Sequence, residues 1–248
     1  MLSRLARLGL FLVTAASFLI FFNWQYIGLM MLTLFVHELG HAMALNLYGL
    51  RSKIFFLPLM GAVTVARTEN SETDGTDEAK GVVLPSARAE ANVILAGPVV
   101  GLLFSLLAAV IYQITGWVPA AMTALLAVVH LFNLLPFAPL DGGRMLNALI
   151  FGRNRLAGFA FNGLVIAGLV ALWYIGDIKW IAIAVASPLI LLSSWSSSSR
   201  EYAKLRLRYL VWGLVEYLLT FIIGTGGWLL FAFYNMDALQ SVPSILRY

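Results

Sequence analysis

Residues 24–47 read WQYIGLMMLTLFVHELGHAMALNL, a stretch with no lysine, arginine, aspartate or proline and a single carboxylate, Glu38. About twenty apolar residues cross a bilayer core, so the stretch is long enough to span one. Two histidines and a glutamate inside hydrocarbon cost several kcal/mol unless they have partners, and an intramembrane cluster of this kind is functional by default. The cluster is His37-Glu38-Leu39-Gly40-His41. Residues four apart share a helical face, so both imidazoles can ligate one metal ion, with Glu38 beside them as a base. Three fixed letters in five recur by chance in soluble proteins. Inside a span the weighing changes, and a bound Zn2+ would supply the missing partner.

The remainder of the 248 residues agrees with that reading. The chain is 61% hydrophobic and 11% charged, with a mean hydropathy of +0.88. A soluble domain is about half apolar and about a quarter charged. A chain this apolar lacks the polar surface to cover its core, and is therefore expected to be an integral membrane protein. The absence of cysteine excludes a disulfide scaffold, an iron–sulfur protein and a cysteine nucleophile. The net charge of +4 is assigned to loops on one side of a bilayer rather than to nucleic-acid binding.

Apolar runs place spans at Leu5–Phe22, Trp24–Leu47, Ala91–Ile114, Trp117–Leu140, Leu156–Ile175, Trp180–Trp195 and Tyr209–Tyr234. The sixth is short, so six or seven transmembrane helices are expected. The first reads as a retained helix rather than a cleaved leader, because it continues past Ala15-Ala16-Ser17. With the N-terminus inside, every lysine and arginine except Lys179 and Arg247 falls on the inner face, the positive-inside pattern. Trp24, Trp117 and Trp180 begin spans on the outer face, as an interfacial belt. Between the second and third spans, residues 54–66 (IFFLPLMGAVTVA) are too short to cross and are interrupted by Pro58 and Gly61. The β-branched Val63, Thr64 and Val65 make this one or two short membrane-associated strands. The acidic stretch 67–80 reads as a solvated loop. The fold class is thus an all-α polytopic membrane protein with a short β segment.

A catalytic zinc takes three protein ligands and keeps its fourth position open. The third histidine of the chain is His130, and carboxylates near membrane depth are confined to Glu38, Asp141, Glu216 and Glu90. Asp141 closes Asn133-Leu-Leu-Pro-Phe-Ala-Pro-Leu-Asp141-Gly-Gly-Arg144, in which Pro136 and Pro139 break the helical ladder and allow the chain to bend. Taken alone, Asp141 before two glycines also suits the cap of a short helix. His130 is expected to be a core histidine rather than a partner of the site. Glu216 is expected to pair with an arginine of the 200–208 cluster or to reach the interface. Gly97, Gly101, Ser105 and Ala109 form a small-residue stripe that suits close helix packing.

HELGH in one span and NLLPFAPLDGGR in a later one resemble the site-2 protease family of intramembrane zinc metalloproteases. That family's second motif is matched at Asn133, Pro136, Leu140, Asp141 and Gly142. Glu90–Gly101, with Ala96-Gly97-Pro98, looks like its third-span entry, although many members carry asparagine where this chain has Gly101. The resemblance covers about residues 24–150. It implies zinc held by His37, His41 and Asp141, Glu38 as general base, and Asn133 as a substrate- or oxyanion-binding group. Nothing looks like the PDZ or CBS modules that many relatives carry.

The reading is a single transmembrane metalloprotease domain over residues 1–248, with a catalytic core of about residues 24–150 and further spans over 156–234. It is expected to cut a membrane protein in or near a transmembrane helix, at the inner face of the cell membrane. Gly61 and Val63 are expected to bind the unwound substrate as a strand. The expected partners are that substrate, the bilayer, and a regulatory membrane protein or a second copy of the chain; nucleic acid is not among them. The alternative is a metal or proton transporter using the same polar residues. It is disfavoured because no inverted repeat or paired broken helix is visible.

Overall fold

The computed structural model describes residues 4–20, 22–58, 61–67, 84–137, 139–151, 155–175 and 207–236. The described elements are helices α1 (Arg4–Phe18) and α2 (Trp24–Leu47), strands β1 (Arg51–Leu57) and β2 (Gly61–Arg67), then helices α3 (Ala87–Thr115), α4 (Val118–Leu125), α5 (Ala127–Asn133), α6 (Asp141–Leu149), α7 (Arg155–Ile175) and α8 (Leu207–Tyr234). Among the described residues α2, α3 and α8 are long and apolar enough to cross a membrane, and Leu5–Phe18, Leu156–Gly168 and the segment Val118–Asn133, made of α4 and α5, are shorter apolar helical stretches. The expected span Trp180–Trp195 and most of the acidic stretch 67–80 lie outside the described residues.

The chain divides into two compact units. One comprises Met1–Val83, Ala96–Leu131 and Thr220–Tyr248, the other Leu84–Leu95 and Phe132–Leu219. In the first, α2 is apolar on all sides and stops where Gly49 takes the left-handed conformation, with φ +73°. There the Gly49 N–H donates to the Asn46 carbonyl and the Leu50 N–H to that of Leu45, so two orphan carbonyls of the last turn are satisfied. The chain then turns into an antiparallel hairpin, its register running from Arg51 opposite Arg67 to Leu57 opposite Gly61. One or two short strands were expected over 54–66; there are two, and the first begins earlier, at Arg51. Gly61 opens β2 at φ +95°, a conformation that side-chain-bearing residues rarely adopt. Both strands pack on α2, and β1 also packs on α1. Phe18, Met30, Met31, Leu34 and Leu126 form the core beneath them, with Phe56 and Ala62 of the hairpin against it.

The expected fourth span, Trp117–Leu140, is not one helix. It breaks at Leu126, where the Val129 N–H bonds the Leu126 carbonyl instead of continuing the i→i−4 ladder. The carbonyl of Leu125 is thereby freed, and it accepts the Trp228 indole N–H at 3.1 Å. A buried break is tolerable because α8 supplies the missing donor.

In the second unit, α5 gives way after Asn133 to irregular chain through Pro136 and Pro139, and α6 begins at Asp141. The Leu134 carbonyl released by this break accepts the Tyr217 hydroxyl. The segment doubles back so tightly that a Cβ at Gly142 would overlap the carbonyls of Leu134 and Leu135. Glycine is required there for want of room. Glu216, expected to pair with an arginine of the 200–208 cluster or to reach the interface, meets the Arg88 guanidinium at 2.5 Å; residues 200–206 lie outside the described residues.

Candidate metal centre

His37 and His41 stand one helical turn apart on α2, and their Nε2 atoms face each other at 3.2 Å. Potential ligand atoms of His37, Glu38 and His41 all lie within 4.8 Å of one another, and all three residues are buried. Two nitrogens so placed must share a proton or a cation, since two bare lone pairs would repel. Tetrahedral zinc with Zn–N distances of about 2.0–2.1 Å separates its nitrogen ligands by about 3.3 Å. The observed pair fits that requirement without rearrangement.

The site exists because α3 approaches α2 with almost nothing in between. A Cβ at Gly40 would sit 2.5 Å from the Ala96 carbonyl oxygen, and one at Gly97 would overlap the His41 ring. Gly101, one turn further along α3, is covered in the same way by the His130 ring. The small-residue stripe expected to receive a neighbouring helix therefore receives two imidazoles as well. Gly40, an unconstrained letter of the motif, is here forced by the backbone of α3.

Thr64 and His130 also meet this cluster. Thr64, in the middle of β2, places its hydroxyl 2.6 Å from Glu38 Oε2 and 3.1 Å from the Glu38 carbonyl oxygen. Successive strand residues point to opposite faces. Thr64 thus turns toward α2 while Val63 and Val65 turn away, and Val65 is exposed. His130, expected as a core histidine, lies with its Nδ1 3.1 Å from His37 Nδ1. Neither contact is legible in the sequence, because each joins residues far apart in the chain.

Asp141 and Asn133 belong to the second unit. Asp141 is buried and forms the first residue of α6, following an N-cap at Leu140. It is therefore not the helix cap that its place before two glycines suggests. Its carboxylate accepts from the Arg144 guanidinium at 3.2 Å, one turn on. Asn133 ends α5 and is half-buried. The freed Leu134 carbonyl, for which an asparagine would have been one natural partner, is taken by Tyr217. Gly61 is buried against Leu34 of α2, and Val63 is half-buried opposite Phe55.

Residues 25–123 match the model of peptidase family M50. The matched segment holds the histidine pair, the hairpin and Gly97, whereas Asn133 and Asp141 follow it. The chain is 31% identical over 153 residues to a zinc metalloprotease of Methanocaldococcus jannaschii, an alignment covering 57% of this chain and 40% of that protein. It is 33% identical over 157 residues to a Synechocystis protein provisionally named a zinc metalloprotease, covering 61% of this chain and 36% of that one. The alignments thus span well under half the length of these relatives. The resemblance to the site-2 proteases is borne out.

Proposed function

We infer that this chain, matched over residues 25–123 to peptidase family M50, is a zinc-dependent peptidase that cleaves membrane proteins in or near a transmembrane segment. The observation that carries the reading is the pair of facing Nε2 atoms, 3.2 Å apart beside a buried glutamate on a helix long and apolar enough to span a bilayer. His37 and His41 would hold the zinc with Asp141 as third ligand. When bound, the ion contributes Lewis acidity, which polarises a peptide carbonyl and acidifies water to a pKa of about 7.

The chain's own residues do the rest. Glu38 takes the proton from water and delivers it to the leaving amine. Thr64 donates to one carboxylate oxygen and so orients the base while leaving the other oxygen for proton transfer. Asn133 is proposed to bind substrate or the developing oxyanion. The lysine and arginine distribution supports a site facing the cytoplasmic side. In sealed vesicles containing the purified protein and a single-span substrate, zinc-dependent products should be released on the side bearing the basic loops. Release on the opposite side would overturn the orientation, and cleavage unaffected by chelation would overturn the zinc reading.

A transmembrane helix hides its amides, so the substrate must unwind, and its freed backbone needs new partners. We assign that role to β2, beginning at Gly61 and Val63, with the substrate adding as a strand. Cross-linkers placed at residues 61–65 should capture the substrate near its cut site; capture confined to the 67–80 stretch would defeat the assignment. Thr64→Val tests the strand's other role. It removes the hydroxyl at constant shape, and losing a hydrogen bond to a charged group costs about 1.5–3 kcal/mol. Cleavage should slow by about ten- to a hundredfold at unchanged zinc content. Unchanged turnover would mean that Thr64 does not orient the base.

A further inference from the structure

His130 is a completely buried titratable group that the chemistry above leaves unused. Its Nδ1 lies 3.1 Å from Nδ1 of His37, and the two ring planes are within 4° of each other. The ring centroids are 5.3 Å apart. That exceeds the nitrogen separation by about the radii of two rings, so the imidazoles lie side by side in one plane, edge to edge, rather than face to face. This is the geometry of an in-plane hydrogen bond, which needs a proton on one of the two nitrogens and a lone pair on the other.

The metal reading decides which ring owns the proton. His37 Nε2, the atom facing His41, must offer its lone pair to be a ligand, so His37 carries its proton on Nδ1 and donates it. His130 must then accept with a bare Nδ1 and carry its own proton on Nε2. Metal-ligating histidines almost always donate their other N–H to a second group, which fixes ring orientation and tautomer. Carboxylates and backbone carbonyls are the usual acceptors. Here the acceptor is a neutral imidazole, which orients the ligand without adding charge to the site.

We propose that His130 is a positioning residue for the metal centre, holding His37 in the Nδ1–H tautomer and in the plane that directs Nε2 at the ion. The proposal rests on His37 being a metal ligand. Its second support is steric. Gly101 is the seat of the His130 ring, since any Cβ there would run into the ring atoms, just as Gly97 one turn earlier seats the His41 ring. With a glycine behind it and His37 at its edge, the ring has little freedom to turn. His130 also precedes Asn133 by one turn of α5, so the helix that closes this contact leads directly into the chain carrying Asp141.

The test uses the full chain in detergent and reads metal binding rather than cleavage. Zinc affinity is measured by chelator competition for the wild type, His130→Leu and His130→Asn, with thermal melts of the metal-free proteins alongside. His130→Leu should weaken zinc by about ten- to a hundredfold and shift the visible bands of the cobalt-substituted protein. His130→Asn, whose amide oxygen can accept near the position of Nδ1, should recover most of the affinity. Equal affinity of the wild type and a folded His130→Leu overturns the proposal while leaving the metal site standing. A wild type that binds no zinc overturns the metal reading and the proposal with it. Should the leucine variant not fold, wild-type protein labelled with 15N-histidine decides, since it contains only three histidines. In the zinc form His37 should be protonated on Nδ1 and His130 on Nε2; a proton on His130 Nδ1 overturns the proposal.

Discussion

Glu38→Gln is expected to leave zinc in place and to abolish cleavage. The proposed ligands are His37, His41 and Asp141, so the substitution removes none of them. Glutamine matches glutamate in size, and the Thr64 hydroxyl, 2.6 Å from Oε2, can still donate to an amide oxygen. What is lost is a group able to accept a proton, and general acid–base catalysis contributes about 10²- to 10⁴-fold. The glutamate is buried, so its removal also withdraws a charge from a poorly solvated position, and the protein should fold at least as well. Metal analysis of the purified variant and a cleavage assay on a single-span substrate check both halves. Turnover within about tenfold of wild type would mean that Glu38 is not the base; loss of zinc would mean that it is a ligand instead.

For Asp141→Asn the expected result is different: zinc affinity and activity fall together. An amide oxygen is a poor zinc ligand, and the ion loses a compensating negative charge. The structure also supplies a plain stabilising role that must be separated from ligation. Asp141 is the first residue of α6 and accepts from Arg144. A carboxylate in the first turn gains about 0.3–1 kcal/mol from the helix dipole. The Arg144 side chain is 45% exposed, so the ion pair itself adds little. The melting temperature of the metal-free protein should therefore drop only slightly, while zinc affinity falls and with it the stabilisation that bound zinc gives. A variant that melts lower yet keeps full zinc occupancy and turnover would assign Asp141 to the helix terminus, and another carboxylate would have to be sought as ligand.

The histidine pair and the glutamate beside it were legible as a cluster in residues 24–47 because every relation that brings them together is local. Spacing along a helix puts His37 and His41 on one face, and a length of apolar sequence tells that the helix can cross a bilayer. Bilayer character itself follows from composition, which needs no tertiary structure. The hairpin was legible in outline, from β-branched residues flanking Pro58 and Gly61. The expected fourth span failed at Leu126 because apolar periodicity registers where a helix is tolerated, not where a donor on another element, the Trp228 indole, permits it to break. The partners of the site were beyond reach for the same reason. Thr64 lies 26 residues from Glu38, and His130 lies 93 from His37. A hydrogen bond between such residues depends on how two elements are brought together, and no residue spacing encodes that. The glycine stripe on α3 marked a close approach, but glycine records only that something fills the space where a side chain would be. That the occupants at Gly97 and Gly101 are histidine rings was decided by packing α3 against α2 and α5, which turns an ordinary helix contact into the wall that holds the candidate metal centre in shape.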